Sequence, residues 1–209
     1  MSRLEFILSL VFNSFKLEPV NIILKASTLE DAFIFKNFYP LYLHDLSAFN
    51  QAKPNQHGIL EPENPDVRDL VQHGENFSYW YNHEGILYPY LIWVDGVPAG
   101  FVLVSREPWV IEGVQTELRE FFVLHAFRGQ GIAQIAALEV FKQFPEHWGL
   151  RILPKNARAI SFWKKIITTF SGGYEEGDSR IKSCCTSQTR LKNSRTLGSS
   201  LSISIKNAS

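Results

Sequence analysis

The spacing of apolar positions changes several times along the chain, and each change predicts an element. "NIILKAST" (residues 21–28) is a short apolar run closed by Ser27 and Thr28, which predicts a strand followed by a helix cap. "LEDAFIFKNFYPLYLHDLSAF" (29–49) has helical spacing interrupted by Pro40, so two helices are expected. Residues 50–85 are rich in Pro, Asn, His and Gly. Within them "NPDVRDLVQHG" (64–74) predicts a short helix with Asn64 as cap, Pro65 at its first position and Gly74 at its end. "LYPYLIWVDGVPAGFVLVSRE" (87–107) reads as two strands turning at Asp95-Gly96. "TELREFFVLHAF" (116–127) is a third strand. "GQGIAQIAALEVFKQF" (129–144) is a helix expected to bury Ile135, Leu138 and Phe141, ended by Pro145. "WGLRIL" (148–153) is a buried strand and "NARAISFWKKII" (156–167) a last helix. The order β-α-α, β-β-β, α, β, α predicts an α/β sandwich on a mixed sheet.

Past Gly177 the pattern fades. No aromatic residue follows Tyr174, and nine serines occur from Ser179 onward. This composition predicts a poorly ordered tail. Strict alternation of Leu201, Ile203 and Ile205 is its one strand-like feature, and a final edge strand is the alternative reading there. At the other end, Met1–Phe15 is apolar but carries Glu5, is too short to span a membrane and has no small-residue cleavage site. The expected division is an N-terminal extension (1–19), one domain (20–177) and the tail (178–209).

Charge alters this picture in one respect. The chain balances 21 basic against 21 acidic residues. Six of the basic residues and none of the acidic ones lie from Ser179 onward, so the rest has 15 against 21. An acidic body argues against nucleic acid as a partner and suits a cationic one. Cys184 and Cys185 are adjacent, too close for an ordinary disulfide. No Cys/His spacing suggests a metal site, and the cytoplasm is the expected compartment.

The candidate chemistry begins at "AFRGQGIA" (126–133), a strand-to-helix junction with an arginine and two glycines. Such a junction offers unpaired amides and a helix dipole to an anion. A dinucleotide-binding fingerprint would need a small residue at Gln134, and no Gly-Lys-Ser/Thr of a P-loop is present. Arg128-Gly129-Gln130-Gly131-Ile132-Ala133 fits the acyl-CoA pyrophosphate pattern Arg/Gln-x-x-Gly-x-Gly/Ala at every fixed place. "NARAISFW" follows, with Asn156 opening a helix and Ala159, Phe162 and Trp163 along it. With these stretches the span Leu118–Ile167 resembles the GNAT superfamily of N-acetyltransferases, and the likeness extends over roughly 20–175.

The resemblance implies a mostly antiparallel twisted sheet flanked by helices, with acetyl-CoA as co-substrate and no metal. It implies that Val123, Leu124 and His125 offer backbone groups to the pantetheine arm. Arg128, Gly129, Gln130, Gly131, Ile132 and Ala133 would hold the pyrophosphate, with the Arg128 guanidinium adding charge-assisted bonds. Asn156 would contact the cofactor and Phe162 would pack beside the thioester. Glu120 is the first candidate for the base that deprotonates an attacking amine, and Glu117 is the alternative. The oxyanion would meet a strand N–H near Val123. Trp163 stands where many members have a tyrosine acid, and Tyr174 is a candidate substitute. Tyr42, His44, Asp45, Tyr79, Trp80 and Tyr81 are expected to line the acceptor pocket.

The implied reaction is direct transfer of an acetyl group to a primary amine of a small molecule or peptide. The alternative is a non-catalytic acyl-CoA-binding or sensing module of the same fold. An interaction domain without cofactor is a further rival. No membrane or nucleic-acid partner is expected, and a homodimer is compatible with the reading.

Overall fold

The computed structural model describes residues 20–60, 66–173, 175–179 and 200–205. The extension 1–19, Tyr174, both cysteines and most of the tail lie outside them. Seven strands form one sheet in the order β1-β2-β3-β4-β5-β7-β6. They are β1 (Ile22–Ala26), β2 (Leu87–Val94), β3 (Val97–Arg106), β4 (Thr116–Val123), β5 (Trp148–Ile152), β6 (Glu175–Ser179) and β7 (Ser200–Ile205). All neighbours pair antiparallel except β4 and β5, which run parallel. The helices are α1 (Ala32–Asn50), α2 (Leu70–Gly74), α3 (Ile132–Gln143) and α4 (Ala157–Ser171).

The hairpin forms at the expected place. Asp95 (φ 50°) and Gly96 (φ 79°) are both left-handed, as a two-residue turn matching strand twist requires. Asp95 Oδ1 also accepts from the Asn21 amide, tying β1 to the turn.

Each sheet face has its own core. One face carries Val102, Val104, Leu118, Leu150 and Ile203 beneath α3 and α4. The other carries Leu91, Phe101, Leu103 and Phe122 beneath α1.

Two expected helices are one. Pro40 lies inside the continuous α1, because Ile34, Phe35, Phe38 and Tyr42 keep one buried stripe on both sides of it. One missing amide hydrogen bond does not outweigh that packing. Asn64 and Pro65 lie outside the described residues, and α2 starts later than expected, capped by Asp69, whose Oδ1 accepts from Gln72 N at 2.8 Å. The buried face of α3 is also rotated from expectation. Ile132, Ala136, Ala137, Val140 and Phe141 face the sheet while Ile135 is exposed. The alanines let the helix backbone come close.

The largest difference is at the chain's end. β7 is not an edge strand: it pairs with β5 on one side and β6 on the other. Ile203 and Ile205 are fully buried. The sheet therefore extends past residue 177, and the alternating apolar side chains of the tail belong to its core.

Candidate active site

The sheet splits at its centre. β4 and β5 pair only through Thr116, Glu117 and Leu118. Beyond Leu118 the two strands part, while β5 stays paired to β7 on its other edge along its whole length. Both strands deliver the chain to a helix N-terminus at the same end of the split, α3 after β4 and α4 after β5. In open α/β sheets ligands favour the carboxyl ends of such strands.

The β4–α3 junction shapes one side. Leu124 N donates to Ala99 O at 2.8 Å, so strand alternation turns the N–H and C=O groups of Phe121 and Val123 away from β3, toward the split. A Cβ on Gly100 would lie 2.1 Å from the Phe122 carbonyl oxygen, so only glycine permits this approach of β3 to β4. A short 3-10 turn over His125–Phe127 follows. Gly129 (φ 78°) and Gly131 (φ 80°) then take left-handed conformations. A Cβ on either would meet nothing within 4 Å, so their role is backbone shape. The first amide in this stretch to bond within the described residues is Ile135 N, which reaches Gly131 O at 3.1 Å. The amides from Gly129 to Gln134 have no partner among the described residues. Gln130 folds its side chain back to Ala126 O at 3.0 Å, and Ile132 anchors α3 in the core.

Arg128 differs from its expected role. Its amide donates to His125 O, its Nε donates to Val123 O at 2.7 Å, and its Nη2 pairs with Asp45 of α1. Its guanidinium carbon lies 5.7 Å from the centre of the Phe122 ring. The side chain is thus a strut between the loop, β4 and α1 rather than an open guanidinium. Leu124 and His125 are also engaged: Leu124 through N–H and C=O, His125 through C=O. Of the three residues expected to serve the pantetheine arm, Val123 retains an N–H turned to the split.

Asn156 caps α4, its Oδ1 accepting from Ala159 N at 3.0 Å. Phe162 packs against Phe121 at 6.2 Å and against Trp163 at 4.9 Å. Trp163 is buried between Phe121 and Phe141 as a core residue.

Glu120 lies on the opposite face, toward α1, and accepts from the Tyr42 hydroxyl. Burial pushes its carboxyl up to about 8, against the opposing pull of Arg151. Glu117, the alternative base, is already saturated. Its oxygens take Arg151 Nε at 2.9 Å, Ile111 N at 2.9 Å and a 3.5 Å contact from Arg119. It is 1% exposed and built into the sheet.

The expected acceptor wall is only partly assembled. Tyr42 is buried against Phe101 and Phe122, with its hydroxyl on Glu120. Asp45 holds Arg128, and His44 is exposed, 3.9 Å from Asp45. Tyr79 instead packs on His83 and Trp109, and the Tyr81 hydroxyl pairs with Ser27 Oγ at 2.9 Å. Trp80 packs against the α1-side core. Among the described residues, no three His, Cys, Asp or Glu side chains are placed to hold a metal, and no helix is long and apolar enough to cross a membrane.

The model of the acetyltransferase (GNAT) family matches residues 50–167, more than half of the chain. The chain belongs to the GNAT family. No protein of curated function matches it in sequence. Solved GNAT-like structures share its fold. PaiA N-acetyltransferase from Thermoplasma acidophilum, in complex with coenzyme A, is 13% identical with TM-score 0.57, over 89% of this chain and 99% of that one. An acetyltransferase from Thermus thermophilus is 12% identical with TM-score 0.56, over 88% and 96%. Ribosomal-protein-alanine N-acetyltransferase from Brucella melitensis is 16% identical with TM-score 0.54, over 87% and 98%. At such identities the likeness is one of fold.

Proposed function

We propose that this protein transfers an acetyl group from acetyl-CoA to the primary amine of a small molecule or peptide, by direct attack and without a covalent enzyme intermediate. The observation that carries the reading is the run of unpartnered amides from Gly129 to Gln134, where a helix begins beside a split sheet. Those amides and the α3 dipole suit a diphosphate, and no Cβ at either glycine obstructs it. The residues present therefore fit acetyl-CoA, which supplies its acetyl group as a thioester.

An alkyl ammonium, with pKa near 10.4, needs a base before it can attack at neutral pH. Glu120 is that base in its ionised form, and Tyr42 holds its carboxyl in place. The backbone N–H groups of Phe121 and Val123 are preorganised donors for a carbonyl oxygen that gains charge. The position where many members of the family have a tyrosine acid holds Trp163, which is buried in the core. The leaving thiolate, with a pKa of roughly 8.5 as a free thiol, departs without a dedicated acid.

The test measures CoA binding and free-thiol release separately. Saturation with CoA at about 100 times Kd should stabilise the fold by about 2.7 kcal/mol, read as a thermal shift. Acetyl-CoA with an amine panel should then release thiol. Buried Trp163 favours the second reading, an acyl-CoA-binding module. A thermal shift with no thiol release under any acceptor would establish that reading, and no shift at all would remove both.

A further inference from the structure

We propose that the acceptor is an amine that also carries an oxyanion, and that the guanidinium of Arg119 receives this oxyanion beside Glu120. The inference rests on the acetyl-transfer reading of the same site. It begins with a bulge in β4. Leu103 pairs with Glu120 and Val104 with Leu118, so Arg119 is the extra residue between them. In a regular strand Leu118 and Glu120 would share a face. Here Leu118 enters the core under α3 and α4, whereas Glu120 reaches Tyr42 of α1. The bulge has re-aimed the strand, as bulges beside active sites do.

The charges on that face do not balance locally. Arg151 alternates with the core residues Leu150 and Ile152, so it points to the α1 side, where it acts on Glu120. Arg151 grips Glu117 through Nε at 2.9 Å and Nη2 at 2.7 Å. Arg119 has only its Nη1 at 3.5 Å from the same carboxylate, the outer limit of a hydrogen bond. Two guanidinia, with side chains 16% and 10% exposed, thus share one carboxylate. Glu120 does little to offset them while burial keeps it protonated.

The remaining donors of Arg119 are not sealed in. Among the described residues, Trp93 Nε1 is the one fully buried side-chain nitrogen or oxygen without a partner. The Arg119 side chain keeps 16% of its surface exposed, and among the described residues its guanidinium has no contact besides the one to Glu117. A guanidinium so placed binds carboxylate or phosphate oxygens through paired N–H groups. It does not belong to the diphosphate cradle, since Val123 lies four residues, roughly 13 Å, further along the strand. An acceptor with its nitrogen toward Glu120 and its oxyanion toward Arg119 would use both charged residues of the bulge. Amino acids and aminoalkyl phosphates or phosphonates share this chemistry.

The experiment uses the full chain and matched pairs: common amino acids beside their decarboxylated amines, and aminoalkylphosphonates beside the corresponding alkylamines. Each pair is assayed by thiol release from acetyl-CoA and by calorimetric binding in the presence of CoA. The oxyanion-bearing member should be preferred by about ten- to hundredfold in at least one pair. A preference among amino acids identifies a carboxylate, and one among phosphonates identifies a phosphate-like group. Arg119→Gln should reduce the preference to less than about twofold, with Arg119→Lys intermediate. A variant that is merely destabilised would lower both members of a pair equally and leave the ratio intact, which overturns the proposal. Equal handling of both members by the wild-type chain also overturns it. A binding preference without thiol release upholds the oxyanion site and counts instead against acetyl transfer.

Discussion

Glu120 combines a half-buried carboxyl, a tyrosine donor and a nearby arginine, and these act on its proton in different directions. Burial raises its pKa to about 8, and Arg151 lowers it. On the proposed role, in which ionised Glu120 is the base, kcat/KM should rise with pH to about 8 and then level off. The Tyr42 hydroxyl bonds to the carboxyl and favours its ionised state. Tyr42→Phe should therefore move that rise to higher pH, which a pH–rate profile would show. Glu120→Gln should lower turnover by about 10²- to 10⁴-fold while leaving CoA affinity within about twofold. A comparable loss of CoA affinity would contradict the role assigned to Glu120. Of this arrangement, the sequence put Glu120 forward as a candidate through its place on the strand before the loop. Tyr42 stood out only as one aromatic among several, because a contact between residues 78 apart leaves no periodic trace.

At the scale of elements, the Arg128 strut joins the β4–α3 loop to α1 through Asp45. The pair is partly exposed, so its direct worth is modest. Asp45→Asn and Arg128→Gln should each weaken CoA binding by about two- to fivefold, and the double variant should be no worse than the stronger single one. If Arg128 contacted the diphosphate by itself, Asp45→Asn would leave affinity unchanged. A titration of the four proteins with CoA decides between these. β7 makes a stronger claim. Ile203 is fully buried where β7 pairs with both β5 and β6. Ile203→Ala should cost about 2–5 kcal/mol in denaturant unfolding. The alternation of Leu201, Ile203 and Ile205 announced a strand. Its interior position was not legible, because alternation reports one buried face and says nothing about which edges are paired.

For the whole molecule, the raised pKa of Glu120 has a consequence for stability. Between about 4.5 and 8 the folded state keeps a proton that the unfolded chain has released. Stability from this group is therefore present at low pH and lost as pH rises through that window. Glu120→Gln removes the dependence. The melting temperature of the variant relative to wild type should increase from pH 5 to pH 8, and a constant difference would show that the carboxyl is not held protonated.

Local pattern alone determined the order of strands and helices from β2 to α4, the Asp95-Gly96 turn and the glycine-rich junction before α3, since each depends on residues close in sequence. Tertiary structure decided the rest. It kept α1 continuous through Pro40, rotated the buried face of α3, seated the last strand inside the sheet and gave Arg128 to Asp45. These outcomes depend on packing and charge pairing between segments distant in the chain. No local spacing encodes them, because the energy that selects them exists only once those segments meet.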